Sequence, residues 1–295
     1  MRTEPDFIIL GAMKCATSSL HDQLAVQSGF VMSEPKEPNF FSNDEEFARG
    51  MDWYHNLFAA AGDDDLCGES STHYTKLPTY PKTIERIQEH APNAKFIYVM
   101  RHPINRLVSQ YIHEWSQKLV SSPIDQAIDD FPEMVAYSRY AMQIQPFFDA
   151  FGKDRVLPIF FERLTKHSQA ELDRVADFLE LDRPLTWKDD LDASNISSKR
   201  MRKSPLRDAI VNAPVLSTIR KRLIPRSFRN WIKGFWQMNN RPELSDKSVE
   251  RLKAIFDEDL AQVGEWLGVE LNCDNYKEVV IPTALDWTVR ERECV

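Results

Sequence analysis

The sequence predicts an α/β fold, with a central parallel sheet flanked by helices. Three short apolar runs are typical of buried strands: DFIILG at 6–11, KFIYVM at 95–100 and RVLPIFFERL at 155–164. A stretch with helical spacing of its apolar residues follows each run. Strands that alternate with helices in this way usually lie parallel, because each helix returns the chain to the same end of the sheet.

The first two helices can be placed from their starting residues. In TSSLHDQLAVQ, Leu20 and Leu24 lie four residues apart, which predicts a helix with Thr17 or Ser18 as its N-cap. In RHPINRLVSQYIHEW, we expect Pro103 at the first helical position, where its missing N–H has no helical partner to lose. The stretch SQAELDRVADFLEL is expected to form the helix after the third strand.

The chain of 295 residues is expected to form one domain. It shows no repeat, no low-complexity segment and no convincing linker. We place the core at about 6–185 and a C-terminal elaboration at about 186–295. Within the elaboration, 199–233 holds eleven Lys or Arg and a single acid. A long helix follows it, with Ser245 as the expected cap and Gly268 as the stop.

Composition limits the class of protein. Apolar residues make up 42% and charged residues 28%, so a packed core is expected. The net charge of −8 argues against a nucleic-acid-binding protein. No apolar stretch approaches the roughly 20 residues of a transmembrane helix. The run in MRTEPDFIILGAMK is too short for a secretory signal.

The cysteines give an expectation about compartment. The four of them form no C-x-x-C pair, which argues against a zinc site, and they are too few for a disulfide framework. A reducing compartment fits best, so we expect a cytoplasmic protein, although pairing stays open. The sequence does not define the oligomeric state. The cysteines are Cys15, Cys67, Cys273 and Cys294.

The loop after the first strand predicts an anion site. Lys14 supplies a cation, and Thr17, Ser18 and Ser19 supply hydroxyl groups at the start of a helix. Backbone N–H groups and the helix dipole favour a negative ligand at that place. The loop has no Gly-Lys pair, so the magnesium-binding pattern G-x-x-x-x-G-K-[ST] is absent. A capped helix with a chance lysine is the alternative.

The loop after the second strand has the same character. Arg101 follows the strand directly, and Ser109 lies farther along the expected helix, so the two could converge on one phosphate. Both loops are expected at the carboxyl ends of neighbouring strands, where open α/β sheets bind ligands. The alternative is that Arg101 and Arg106 are ordinary surface charges.

These two loops resemble those of sulfotransferases that use 3′-phosphoadenosine 5′-phosphosulfate (PAPS). GAMKCATSSL is similar to their 5′-phosphosulfate loop, and RHPINRLVSQY to their 3′-phosphate motif. SEPKEPNFF at 33–41 and GESSTHY at 68–74 resemble segments of the heparan-sulfate-type branch, and NRPELS resembles a late stretch of bacterial members. The resemblance covers about 6–268. The chain departs from the pattern at Ala16, Ser70 and Thr72, where glycine, lysine and proline are frequent.

The resemblance implies a P-loop NTPase-like sulfotransferase fold and transfer of a sulfuryl group without a metal. The acceptor would be a hydroxyl or amine of a carbohydrate or small natural product, and adenosine 3′,5′-bisphosphate (PAP) would be the second product. Two other functions stay open: a P-loop nucleotide kinase-like enzyme, and a non-catalytic protein that binds a nucleotide or a glycan.

The resemblance also implies roles for individual residues. Lys14 would contact the bridging and sulfonate oxygens, and the loop would hold the 5′-phosphate through Lys14, Cys15, Ala16, Thr17, Ser18 and Ser19. The 3′-phosphate would be held by Arg101 and Ser109, with closure over it by Lys199, Arg200 and Arg202, unless that run is a solvated basic face.

The base and the acceptor pocket are assigned in the same way. Glu37 is the expected base, with His73 and His102 as fallbacks, and the alternative is that Glu37 is a surface acid. The acceptor pocket is expected to include Lys36, Glu69 and His73.

Overall fold

A computed structural model describes residues 4–194 and 241–288 of the chain. Its centre is a five-stranded sheet in the order β2-β3-β1-β4-β5, and every neighbouring pair is parallel. The strands are β1 (Phe7–Gly11), β2 (Phe30–Met32), β3 (Leu66–Ser70), β4 (Lys95–Met100) and β5 (Val156–Phe160). The predicted α/β class with a central parallel sheet is confirmed.

Helices flank this sheet. Short 3₁₀ turns cover Thr72–Thr75, Lys153–Arg155 and Asp189–Ser194. In the described ranges the α-helices are α1 (Thr17–Ala25), α2 (Asp44–Phe47), α3 (Met51–Asn56), α4 (Thr83–His90), α5 (Pro103–Gln117), α6 (Ile124–Asp130), α7 (Glu133–Ala136), α8 (Tyr140–Phe151), α9 (Phe161–Leu164), α10 (Ser168–Phe178), α11 (Asp246–Leu267) and α12 (Tyr276–Val280).

The three predicted strands form the centre and one edge of the sheet. β1 lies between β3 and β4, and all five of its residues are buried. The third run, 155–164, is a strand only to Phe160, because the chain then turns into α9. There the buried Glu162 accepts a hydrogen bond from the backbone N–H of His102 at 3.0 Å, which holds the turn against the neighbouring loop.

Two strands were not predicted, and both are short or atypical. β2 has only three residues, and β3 has the sequence LCGES, in which two of the five residues are polar. Gly68 in β3 leaves room for the ring of Phe7, since a Cβ there would lie 2.2 Å from that ring. Pairing with β1, rather than an apolar pattern of its own, therefore defines β3.

The predicted cap of α1 is wrong. The N-cap is Ala16, in the left-handed conformation at φ 66°, and no side chain caps the helix. Thr17 is already inside the first turn, so neither its hydroxyl nor that of Ser18 occupies the capping position. By contrast, Pro103 does occupy the start of α5, as predicted.

The C-terminal helix α11 also has the predicted ends. The Ser245 hydroxyl accepts from the N–H of Ser248 at 3.3 Å, and Gly268 ends the helix at φ 71°. Asp259 of α11 accepts from the N–H groups of Ala141 at 2.9 Å and Met142 at 3.1 Å, at the start of α8. The described C-terminal residues thus share the core of residues 4–194. One domain over the whole chain stays a prediction, because the basic stretch 199–233 lies outside the described residues.

Within those ranges, no helix combines the length and the apolar character that crossing a membrane requires. Cys15, Cys67 and Cys273 are free and buried. Cys294 lies outside the ranges given above.

Candidate functional site

A cavity of about 740 Å³ lies where the loops leave the carboxyl edge of the sheet. Its walls come from segments that follow β1, β3, β4 and β5, and from the loop after β2. Because these strands are parallel, their carboxyl ends meet at one edge, as was expected from the sequence for β1 and β4. The candidate residues that line it are Lys14, Ala16, Thr17, Ser18, Ser19, Glu37, His73, Arg101 and Ser109.

The loop after β1 is shaped by its backbone. Gly11 has φ 141°, and a Cβ there would lie 2.3 Å from the hydroxyl oxygen of Thr75. That hydroxyl donates to the carbonyl of Leu10 at 3.0 Å, so the short turn after β3 packs directly on the end of β1. Lys14 and Ala16 follow with φ 73° and 66°. The loop therefore turns sharply before α1 begins, and its lysine and hydroxyl residues line the cavity.

Cys15 differs from its neighbours. Its side chain is fully buried, with the sulfur 4.0 Å from the hydroxyl of Tyr140. Burial raises the pKa of the thiol to about 12, with opposing contributions from Arg106 and Arg101. The thiol is therefore neutral and packed inside the protein, which leaves only the Cys15 backbone for a ligand.

Arg101 joins the two predicted loops. Its Nη1 donates to the carbonyl of Lys14 at 3.1 Å, and its guanidinium lies 4.3 Å from the centroid of the Phe161 ring. Tyr140 holds the Arg101 backbone from the other side. Its hydroxyl accepts from the Arg101 N–H at 3.1 Å and donates to the Arg101 carbonyl at 2.5 Å. The side chain is thus fixed over the first loop.

Arg106 is not a surface charge. It is 0% exposed, and its Nε donates to the hydroxyl of Ser138 at 2.7 Å. Its Nη2 donates to the Met134 carbonyl at 3.2 Å. Ser109, one turn later on α5, is also buried but lines the cavity. The Arg-x-Pro-x-x-Arg-x-x-Ser motif therefore separates into ligand-facing and core positions.

Glu37 lies on the opposite wall, in a left-handed conformation at φ 59°. Its backbone N–H donates to the carbonyl of Ser70 at 3.0 Å. Its Oε1 accepts from Thr72 Oγ1 at 3.3 Å and from Lys36 Nζ at 2.9 Å. Burial favours a higher pKa, but the charge and hydrogen bond of Lys36, with help from Lys76 and His73, hold the Glu37 pKa below its usual value. Glu37 is therefore ionised at neutral pH.

Lys36 and Glu69 do not line this cavity. Lys36 faces a separate surface depression bounded by His21 and Phe30. Glu69 is fully buried beneath the Glu37 loop, and it accepts from the Ser71 hydroxyl at 3.3 Å. Burial raises the pKa of Glu69 to about 7, against hydrogen bonds from Tyr74, Tyr54 and Ser71. Any influence of Glu69 on an acceptor would therefore act through the residues that separate it from the cavity.

The two fallback histidines occupy different places. His73 lines the cavity and stacks on Tyr80 with ring centroids 4.7 Å apart. Burial, followed by the charge of Lys76, lowers its pKa to about 4, so the ring is neutral. His102 lies outside the cavity, where its Nε2 is 2.9 Å from the Cys273 carbonyl oxygen. The structure thus brings His73 beside Glu37 and places His102 against the C-terminal segment.

Several lining residues were missed in the sequence. Lys76 follows the GESSTHY segment by two positions, and extending that segment would have found it. Met13 and Thr72 lie within the segments GAMKCATSSL and GESSTHY, but no role was predicted for them. The others carry no sequence signal, since ordinary polar and apolar residues reach the cavity only through folding. They are His113, Glu114, Leu119, Phe161, Leu164, Thr165, Ser168 and Trp187.

This residue set fits a nucleotide with phosphates. One cavity holds the Lys14 cation, the start of α1 with its hydroxyls, and the fixed guanidinium of Arg101. Across the described ranges, no three His, Cys, Asp or Glu side chains group as a metal site would require. That the transfer reaction needs no metal stays a prediction. Lys199, Arg200 and Arg202 lie outside the described residues.

Sequence comparison identifies relatives of this chain. The family model described as "Sulfotransferase domain" matches residues 4–264. Heparan sulfate glucosamine 3-O-sulfotransferase 3A1 of Mus musculus is 29% identical over 196 residues, which are 62% of this chain and 48% of that protein. Heparan sulfate glucosamine 3-O-sulfotransferase 6 of Homo sapiens is also 29% identical over 196 residues, 63% of this chain and 55% of that protein. The chain thus spans about half the length of these relatives.

Solved structures show the same fold. A sulfotransferase from Alicyclobacillus acidocaldarius has a TM-score of 0.64 at 22% identity and covers 92% of this chain and 98% of its own. Mouse sulfotransferase SULT7A1 complexed with PAP has a TM-score of 0.50 at 15% identity, with 90% and 87% covered. These likenesses confirm the predicted P-loop NTPase-like fold.

Proposed function

Because this chain belongs to the sulfotransferase domain family, we propose that it transfers a sulfuryl group from PAPS to a hydroxyl or amine of an acceptor. The acceptor is a carbohydrate or a small natural product, and the second product is PAP. The observation that carries the proposal is the single cavity that joins Lys14, Arg101 and Glu37. It brings two cations and a carboxylate together, which suits in-line transfer because such transfer depends on positioning and on stabilising the charge that develops.

The donor side of the cavity is the wall formed by Lys14–Ser19, Arg101 and Ser109. Bound PAPS supplies the sulfuryl group. We assign Lys14 to the bridging and sulfonate oxygens, where its charge offsets the negative charge that develops on the leaving phosphate. The α1 N-terminus with Thr17, Ser18 and Ser19 binds the 5′-phosphate.

The 3′-phosphate is assigned to Arg101 and Ser109. Arg101 is suited to this role because its backbone and side chain are already held by Tyr140 and Lys14 before a ligand arrives. A guanidinium that is fixed in advance loses less conformational freedom on binding. The same contact to the Lys14 carbonyl couples the two phosphate-binding loops.

We assign the base to Glu37. Its carboxylate is ionised, lines the cavity, and is oriented by Thr72 and Lys36. An ionised carboxylate within hydrogen-bond reach of an acceptor hydroxyl removes its proton as the bond to sulfur forms. His73 stays the fallback: burial lowers its pKa to about 4, so its ring is neutral, and it stacks on Tyr80.

The proposed function is tested with purified protein, PAPS labelled in the sulfuryl group, and a panel of glycans, phenols and alcohols. We expect labelled product and stoichiometric PAP, and none in Lys14→Ala, whose melting temperature is unchanged. PAP binding without transfer to any acceptor would support a non-catalytic binding protein instead. Magnesium-dependent ATP binding would support a nucleotide kinase-like enzyme.

The cellular location of the enzyme and the identity of its acceptor stay predictions. A cytoplasmic location depends on the cysteine argument, and the three described cysteines are free. The relatives named above act, by their names, on heparan sulfate glucosamine. A glycan acceptor is therefore one member of the panel rather than a conclusion.

A further inference from the structure

Lys76 is a cavity residue to which the proposed mechanism gives no role. It follows the 3₁₀ turn Thr72–Thr75 and lines the same cavity as Glu37. Its backbone is held on both sides, because its N–H donates to the His73 carbonyl at 3.2 Å and its carbonyl accepts from the N–H of Thr79 at 2.8 Å. The turn therefore fixes the Lys76 backbone at the wall of the cavity.

The Lys76 residue is half-buried, and no residue in the described ranges accepts a hydrogen bond from its ammonium group. Its Nζ lies 5.7 Å from the centroid of the Tyr137 ring. A partly buried ammonium without an acceptor loses hydration and gains no hydrogen bond in return. A ligand oxygen in the cavity would complete its coordination.

The charges around Lys76 place it on the acceptor side. Glu37 from the loop after β2 and Glu114 from α5 favour its charged form, while the buried Arg106 of α5 opposes it. His73, on the turn that precedes Lys76, also senses its charge. Thr72 of that same turn donates to Glu37 at 3.3 Å. The turn therefore carries both the group that orients the proposed base and the ammonium beside it.

On the basis of the proposed function, we propose that Lys76 binds the acceptor by donating to an oxygen next to the hydroxyl that is sulfated. The acceptor is accordingly a vicinal diol, as in a sugar, or another compound with two neighbouring oxygens. Glu37 accepts the proton of the reacting hydroxyl, and Lys76 holds its neighbour. Lys76 is then a specificity-determining residue.

The titration of Lys76 supplies an independent readout. Burial lowers its pKa to about 8, although Glu37 opposes the shift. The ammonium that binds the acceptor is therefore lost as pH rises through about 8. We expect kcat/KM for the acceptor to fall over that range, and the fall to move to higher pH in Lys76→Arg, because guanidinium stays charged. If Lys76 had only a structural role, Lys76→Arg would leave the pH of this fall unchanged.

The decisive experiment compares cis-1,2-cyclohexanediol with cyclohexanol as acceptors, using labelled PAPS. We expect the wild-type protein to prefer the diol by about 10- to 100-fold in kcat/KM, the value of one hydrogen bond to a charged group. Lys76→Met should lose this preference, and Lys76→Arg should keep part of it. The matched control is Lys82→Met, because Lys82 is exposed and pairs with Asp44 at 3.1 Å outside the cavity.

The outcomes separate this inference from the function on which it rests. Equal use of the two alcohols by the wild type, or a diol preference that persists in Lys76→Met, would overturn it. The inference would also be overturned if the wild-type protein bound PAP but sulfated neither alcohol. If the wild type bound no PAP at all, the proposed function itself would be wrong. Unchanged PAP affinity in Lys76→Met shows that the variant is folded and that the donor side is intact.

Discussion

Replacing Arg101 by alanine tests how far one side chain connects the two halves of the donor site. The change removes a hydrogen bond to the Lys14 carbonyl at 3.1 Å and the contact with the Phe161 ring at 4.3 Å. It also removes the guanidinium assigned to the 3′-phosphate. The backbone contacts with Tyr140 remain, because they involve only the N–H and carbonyl of residue 101.

The magnitude follows from these contacts. A hydrogen bond between a charged donor and a phosphate contributes roughly 1.5–3 kcal/mol. The lost anchor to the first loop adds roughly 0.5–1.5 kcal/mol, because Lys14 is no longer held in place. Together they predict a loss of about 2–4.5 kcal/mol, or roughly a 30- to 2,000-fold rise in the Kd for PAP.

The assay is titration calorimetry with PAP. Arg101→Lys keeps the positive charge but lacks the planar guanidinium that can donate two hydrogen bonds to one phosphate. Its Kd for PAP should therefore lie between those of the wild type and Arg101→Ala. Arg49→Ala is the matched control, since Arg49 also stacks on a ring, Trp53 at 3.6 Å, and pairs with Glu46 at 2.9 Å, but does not line the cavity. A Kd for Arg101→Ala equal to that of Arg49→Ala would refute the 3′-phosphate assignment.

Three further predictions address the base, the loop and a buried carboxyl. Glu37→Gln should lower kcat by roughly 10²- to 10⁴-fold with unchanged PAP affinity, and a full rate in a labelled-donor assay would place the base elsewhere. Gly11→Ala should destabilise the protein by about 1–3 kcal/mol in urea unfolding, since its Cβ would lie 2.3 Å from the Thr75 hydroxyl, and wild-type stability would contradict this packing. Burial raises the pKa of Glu69 from 4.5 to about 7, so the folded state holds a proton that the unfolded state releases. This stabilisation is complete below pH 4.5 and is lost as pH rises to about 7. Over that window Glu69→Gln should become more stable relative to the wild type by up to about 3 kcal/mol, and parallel pH curves would show that Glu69 does not titrate there.

Local sequence was sufficient to predict the elements whose signals are continuous along the chain. β1 is an apolar run, β4 is one after its first residue, Lys95, and α11 has both a capping serine and a terminating glycine. Such elements are defined by burial and by the backbone groups at their ends, and neighbouring residues carry that information. The lysine and hydroxyls after β1 and the arginine after β4 predicted an anion site for the same reason.

Contacts between distant segments decided the rest. β3 exists because it pairs with β1, and Ala16 caps α1 because the loop before it turns through left-handed conformations. The sequence placed Arg106 beside Arg101 in one motif, yet packing buries Arg106 and leaves Arg101 over the cavity. Whether a charged side chain faces a ligand or the core depends on which segments surround it.

The sequence by itself therefore determined the fold class and the donor loops, because short segments with the required spacing are enough to form a strand, a turn and a helix start. Only the tertiary structure brought Glu37, Thr72 and Lys76 to the wall opposite those loops. The physical reason is that parallel strands gather their carboxyl ends at one edge, so residues far apart in the chain share one cavity whose charges and hydrogen bonds no single segment contains.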